Sequence, residues 1–258
     1  MEKDLFRLDG KTLNNILKAI KEINDTAVMK ISPDGIDINT LAERKDALAR
    51  VFLPNIYLNG ACLDYKKEFG FDVKAAYDAL KSFNKTDITV LLDDKALIFQ
   101  VNSFRLEFPI LEVESFPIEK LEGSVNFDNY VTVESKALNQ VISILKQRKA
   151  KDYYGSRFTM SLSEKGLEIV FVNTDTQEKL NFNFIDYDSH LIAKNVKEAV
   201  SSSYSIERIL KILGRKEFSE FTRIHIPPKE QILKVVYPLD FSYTTPEIVY
   251  YLARQVQE

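Results

Sequence analysis

Two ten-residue stretches, "MKISPDGIDI" at 29–38 and "MSLSEKGLEI" at 160–169, carry one pattern: apolar alternation, a polar turn, a glycine, and apolar alternation again. What precedes them matches as well. "LNNILKAI" from Leu13 and "LNQVISIL" from Leu138 each put apolar residues at i, i+3, i+4 and i+7, the spacing of one helix face. A second helical stretch follows each hairpin, at 72–83 and at 205–215. The offsets are 125 at the first helix, 131 at the hairpin and 133 at the second helix, a drift of loop length only. A chain that writes one order of elements twice is a duplication of a unit of roughly 125 residues.

Short period-two runs surround the helices. They fall at 1–8, 49–53, 65–71, 87–92, 95–101 and 103–111, and again at 170–172, 179–184, 221–226, 231–237 and 248–253. Consecutive strands joined by turns pair antiparallel, so the class is α+β. Asp34-Gly35 reads as the turn of the first hairpin and Asp72 as the N-cap of the second helix. Residues 112–127, "EVESFPIEKLEGSVNF", break the pattern with Pro117, Gly123, acids and isolated Phe116, Ile118 and Leu121. They read as an extended connector between domains at 1–111 and 128–258.

Several kinds of chemistry find no residues here. Cys62 is the lone cysteine, and His190 and His225 are the two histidines; neither has metal-ligand spacing. No phosphate-binding glycine loop and no nucleophile elbow occurs. Asp93-Asp94 and Glu112/Glu114 fit a turn and an acidic connector. The expectation is a non-enzyme without metal or cofactor. No apolar run is long enough for a membrane span, and "MEKDLFRLDG" lacks the pattern of a secretory leader. Together with the cysteine count this points to an intracellular protein.

The formal net charge is −3, which argues against nucleic acid until its placement is considered. The helical stretches carry Lys11, Lys18 and Lys21; Lys74, Lys81 and Lys85; Lys136, Lys146, Arg148 and Lys149; and Arg208, Lys211, Arg215 and Lys216. Against these fourteen stand Glu22, Asp72, Asp78 and Glu207, so the helices hold a net +10 and the remainder −13. Lys and Arg suit any solvated helix, but so does Glu, which is nearly missing from these faces. The pattern points to four helices that meet one polyanion through sequence-independent phosphate contacts. Few aromatic residues interleave with the cations, which disfavours a single-strand stacking platform.

With these features in place, the chain resembles the sliding clamps of the proliferating cell nuclear antigen (PCNA) family, archaeal members above all. The stretches that carry the resemblance are "DTAVMKISPDGIDINTL" running into "ARVFLP", "FGFDVKAAYDAL", "FPILEVESFP", "EAVSSSYSIERILKIL" and "VYYLARQV". The resemblance implies a duplicated two-domain clamp fold, with sheets outside and four helices per chain on the inner face of a ring of three subunits. It implies a processivity factor that encircles duplex DNA and tethers PIP-box proteins such as DNA polymerase, ligase and flap endonuclease after a clamp loader places it. The location implied is with the DNA, in the nucleoid or the nucleus.

By position, the DNA-facing residues would be Lys11, Lys18, Lys21, Lys74, Lys81, Lys136, Lys146, Arg148, Lys149, Arg208, Lys211 and Arg215. The partner groove would use Leu41, Leu48, Phe116, Ile118, Leu121, Ile232, Tyr251, Leu252 and Ala253. Subunits would join along 103–110 and 176–184, through Phe104, Leu106, Phe108, Lys179, Leu180 and Phe182. Three positions depart from the family pattern: Ala42-Glu43 replaces Asp-Pro, Ile232 replaces a proline, and Arg254 replaces the proline of a terminal Leu-Ala-Pro. All three fall near the expected groove. They leave open a homotrimer, one subunit of a heterotrimeric or checkpoint-type clamp, and a clamp-fold scaffold that does not encircle DNA.

Overall fold

The computed structural model describes residues 3–57, 66–113, 118–150, 157–239 and 246–255. Its contacts divide the chain into unit 1, Met1–Phe116 with Pro238–Ile248, and unit 2, Pro117–Tyr237 with Val249–Glu258.

Unit 1 runs β1 (Lys3–Asp9), α1 (Gly10–Lys21), β2 (Thr26–Ser32), β3 (Gly35–Leu41), β4 (Ala47–Pro54), a 3₁₀ turn (Asn55–Tyr57), β5 (Lys67–Asp72), α2 (Val73–Leu80), β6 (Asp87–Leu92), β7 (Ala96–Val101) and β8 (Phe104–Pro109). Its strands form two antiparallel arrays, β1-β6-β7-β8 and β5-β2-β3-β4. Unit 2 opens with α3 (Ile118–Ser124). It continues β9 (Tyr130–Glu134), α4 (Ser135–Gln147), β10 (Arg157–Ser163), β11 (Gly166–Val172), β12 (Lys179–Ile185), β13 (Leu191–Asn195), β14 (Val200–Tyr204), α5 (Ile206–Ile212), β15 (Phe221–His225), β16 (Leu233–Pro238) and β17 (Glu247–Leu252). Its arrays are β13-β9-β15-β16-β17 and β14-β10-β11-β12. Apart from β13, which adds itself to the edge of β9, unit 2 repeats the strand order of unit 1. The duplication read from two hairpins is therefore a duplication of topology.

The helix faces are those the spacing predicts. Leu13, Ile16, Leu17 and Ile20 of α1 are buried, as are Leu138, Val141, Ile142 and Leu145 of α4. A polar residue repeats with them. Asn14 of α1 donates to Leu80 O at 3.0 Å, at the end of α2, and Asn139 of α4 donates to Gly214 O at 2.9 Å, just past α5. Each side chain joins a backbone N–H, from Phe83 in one unit and Lys216 in the other, on a carbonyl at or just past the end of the second helix, and so fastens the two helices of its unit together.

The hairpin turns differ from the Asp34-Gly35 expectation. Ser32 pairs with Gly35 and Ser163 with Gly166, so the two-residue turns are Pro33-Asp34 and Glu164-Lys165, and each glycine opens the returning strand. Gly35 has φ +148 and Gly166 φ +130, and an added Cβ would meet Leu53 O at 2.2 Å and Phe184 O at 2.1 Å. Only a residue without a side chain lets the third strand come that close.

Three further sequence readings are corrected. Residues 118–124 of the connector are helical rather than extended. β13 and β14 were not expected. Among the described residues the connector helix stands beside the four helices expected from the sequence. Asp72 caps α2 as expected, accepting from Ala75 N at 2.8 Å.

Candidate functional site

The helix charges behave differently in the two units. In unit 1, α1 and α2 lie side by side, and most of their cations are engaged locally. Lys74 pairs with Asp25 at 3.0 Å, Lys81 with Asp78 at 3.0 Å, and the Lys21 ammonium sits 4.4 Å over the Tyr77 ring. The Asp25 carboxylate beside Lys74 raises that ammonium's pKa above the ordinary lysine value, and Lys81 holds Asp78 below the ordinary carboxylate value. Lys11 is exposed and unpaired among the described residues.

In unit 2, α5 resembles unit 1. Lys211 pairs with Glu207 at 3.2 Å, and Arg215 reaches Glu217 at 3.5 Å while its Nε donates to Lys211 O at 2.5 Å. Its α4 does not. The solvent side of α4 carries Lys136, Gln140, Lys146 and Gln147, followed by Arg148 and Lys149, with no acid on the helix. Lys136, Lys146 and Lys149 have no ion-pair partner among the described residues, and Arg148 reaches Glu178 at 3.7 Å. Exposed pairs are weak, but each sets a carboxylate beside its cation and partly offsets the charge. Of the twelve cations named from sequence, Lys11, Lys74, Lys81, Lys136, Lys146, Arg148 and Lys149 are exposed. Lys18, Lys21, Arg208, Lys211 and Arg215 are half-buried.

The residues named for a partner groove fall in both units. Leu41 and Leu48 face each other across β3 and β4 of unit 1; Leu41 is half-buried and Leu48 buried. In unit 2, Ile118, Tyr251 and Leu252 are buried, Leu121 and Ile232 are half-buried, and Ala253 is exposed. Phe116 lies outside the described residues. Ile118, read from sequence as a stranded apolar residue in a polar connector, is 1% exposed and belongs to the packing of unit 2. At the departures from the family pattern, Ala42 is buried and closes a turn, its N–H donating to Ala47 O at 2.8 Å. Arg254 Nη1 donates to Gln231 Oε1 at 2.8 Å.

Sequence reasoning missed how the connector helix is held. Glu122 of α3 meets Lys234 of β16 at 3.3 Å and accepts a hydrogen bond from the Tyr251 hydroxyl of β17. The Lys234 ammonium stands 4.9 Å from the Phe127 ring centroid and 5.4 Å from that of Tyr251, and these two rings meet edge to face at 5.9 Å. A Glu and a Lys 112 residues apart give no sequence signal of meeting.

The residues named for subunit contact lie on sheet edges. β8 ends one array of unit 1 and β12 ends one array of unit 2. Phe104 is 56% exposed, and Leu106, Phe108, Leu180 and Phe182 are half-buried. Among the described residues, both strands thus leave a row of backbone groups and apolar side chains without a cross-strand neighbour on one side.

The two histidines have different settings. His190 Nδ1 stands 2.9 Å from Glu134, the N-cap residue of α4. His225 Nδ1 donates to Phe127 O at 2.5 Å, and burial pushes its pKa down to about 4. Among the described residues, no three His, Cys, Asp or Glu side chains gather where a metal ion could bind.

No family model and no curated protein matches the sequence. Solved structures do match. A chain of the PCNA2–PCNA3 complex from Sulfolobus tokodaii superposes with a TM-score of 0.81 at 13% identity, covering 100% of both chains. The structure of the C-terminal region of FEN-1 bound to A. fulgidus PCNA gives 0.78 at 16% identity, again over 100% of both. The chain has the sliding-clamp fold. At such identities the clamp fold is carried by burial pattern and topology, with few residues held in common.

Proposed function

We propose that this chain is a subunit of a ring-shaped clamp that encircles duplex DNA without sequence preference and tethers replication and repair enzymes. The observation that carries the reading is a full-length clamp fold in an acidic protein whose α1 and α4, with the residues just past them, carry seven cations and one acid, Glu22. A ring holds DNA by topology, so its contacts can be individually weak and still permit sliding. In this reading the chain performs no chemistry. A clamp loader opens the ring, and polymerase, ligase and flap endonuclease dock through short PIP-box peptides near the connector. The protein works inside the cell, on DNA. The edges of β8 and β12 supply the joints between subunits, since pairing covers both.

Native mass spectrometry of the purified chain, with DNA retention assays, tests this. The expected results are a ring-sized assembly, alone or with a sister chain, and retention on circular but not on open-ended linear duplex. A monomer that joins no ring overturns the reading. A mixed ring is the second reading, and one of the matching structures is itself a complex of two different clamp chains.

A further inference from the structure

We propose that α3 is a built-in occupant of the partner site: it covers the surface formed by Lys234, Phe127 and Tyr251, and a partner peptide binds after α3 lifts. The proposal rests on the reading that partners dock on the connector side of unit 2.

The geometry of α3 is that of a ligand. Ile118, Leu121 and Glu122 stand at i, i+3 and i+4, on one side of the helix. Ile118 is buried, Leu121 half-buried, and the Glu122 carboxylate meets both the Lys234 ammonium and the Tyr251 hydroxyl. One helical turn thus carries two apolar side chains withdrawn from solvent and an anion that meets a cation and an aromatic hydroxyl.

The helix is also poorly able to stand by itself. Its seven residues are too few for a stable helix in water, and Gly123 weakens it further. Glu122 ties it to β16 and β17, so it can be exchanged for a segment that makes the same contacts.

The exchange sets a requirement on the partner. The Lys234 side chain is 17% exposed and lies over two rings. With Glu122 withdrawn, the partly buried ammonium loses its carboxylate, and a newcomer that brings none leaves it uncompensated. The peptide that fits is therefore a helical turn with apolar residues and a carboxylate in the place of Glu122. Its apparent affinity is reduced by the fraction of chains in which α3 is closed.

Two substitutions push α3 in opposite directions. Glu122→Gln weakens the clasp. Gly123→Ala strengthens the helix, and nothing lies within 4 Å of the added Cβ. The full-length chain and both variants are titrated with a fluorescent peptide from the FEN-1 C-terminal region, and amide hydrogen exchange across 118–125 is followed without peptide. Glu122→Gln should speed exchange and tighten binding by roughly tenfold, the equivalent of one charge-assisted hydrogen bond. Gly123→Ala should slow exchange and weaken binding. Faster exchange in Glu122→Gln with unchanged affinity overturns the plug and leaves the groove standing. Unchanged exchange removes the clasp. A peptide that binds none of the three proteins removes both the groove and the plug.

Discussion

The two units share a topology and spend their helix charges in different ways. In unit 1, Lys74 and Lys81 face Asp25 and Asp78, and Lys21 covers Tyr77. In unit 2, α4 and the residues just past it offer Lys136, Lys146 and Lys149 with no acid on the helix. The interior tie survives in both copies, Asn14 in one and Asn139 in the other, while the exposed sides have diverged. A shared fold thus fixes where a helix lies and leaves open how strongly it draws an anion. If the chain holds DNA, α4 should hold it hardest.

The comparison can be broken first at the hairpins, where the units ought to behave alike. Gly35→Ala and Gly166→Ala each drive a Cβ into a backbone carbonyl at a positive φ. Each should cost about 3 kcal/mol or more in denaturant unfolding, because strain and a clash add. If only one is costly, the two hairpins are not equivalent.

Next come the helices. Reversing Lys136, Lys146 and Lys149 to Glu should weaken duplex binding about a hundredfold at low salt and flatten the salt dependence by about three phosphate contacts. The same reversal of Lys11, Lys74 and Lys81 should do distinctly less. Equal losses would erase the contrast, and no loss in either set would remove DNA from the proposal.

Acid should separate the units by stability. His225 is buried with its Nδ1–H donated to Phe127, near Lys234, Arg223 and Asp128, and the fold holds its pKa at about 4, against an ordinary 6.5. The folded state thus favours the neutral ring. Its contribution is complete above about pH 6.5 and is lost as pH falls from there toward 4. Lowering pH from 8 to 5 should cost about 2 kcal/mol from this residue. Its counterpart in unit 1, by the strand pairing that matches Phe221 to Asp87, is Leu91, so amides of unit 2 should lose exchange protection first. His225→Leu, if folded, should level the two.

The smallest expected effect sharpens the charge contrast. Asp25→Asn releases Lys74 and should raise duplex affinity about twofold, with stability nearly unchanged, as exposed pairs contribute little. A fall in affinity would mean that Asp25 positions Lys74 for DNA rather than neutralising it.

Much of this was legible in the sequence because it is periodic. The buried faces of α1 and α4 follow from 3.6-residue spacing, and the duplication follows from repeating it. What escaped is set by distant contacts. β14, "VSSSY", puts serine on both faces and has no apolar alternation to read. β13 is a short edge strand with a bulge between Leu191 and Ala193. The helix α3 contains a glycine, and contacts with Lys234 and Tyr251 hold it, so local propensity argued against it. The pairing of individual lysines depends on where loops such as that of Asp25 return, which no periodicity encodes.

The strand order also sets a timetable for folding. Hairpins β2–β3 and β10–β11 join residues a few positions apart, and such pairs form within microseconds. The first strand of each unit must wait: Asp9 pairs with Asp87, and Glu134 with Phe221. Closing loops of that length is slow and leaves apolar strand edges bare in the meantime. On the ribosome, β1 would emerge early and stay unpaired until β6 is made. The burden of keeping this chain from aggregating therefore falls on β1 and β9, while the hairpins that first betrayed its architecture are already formed.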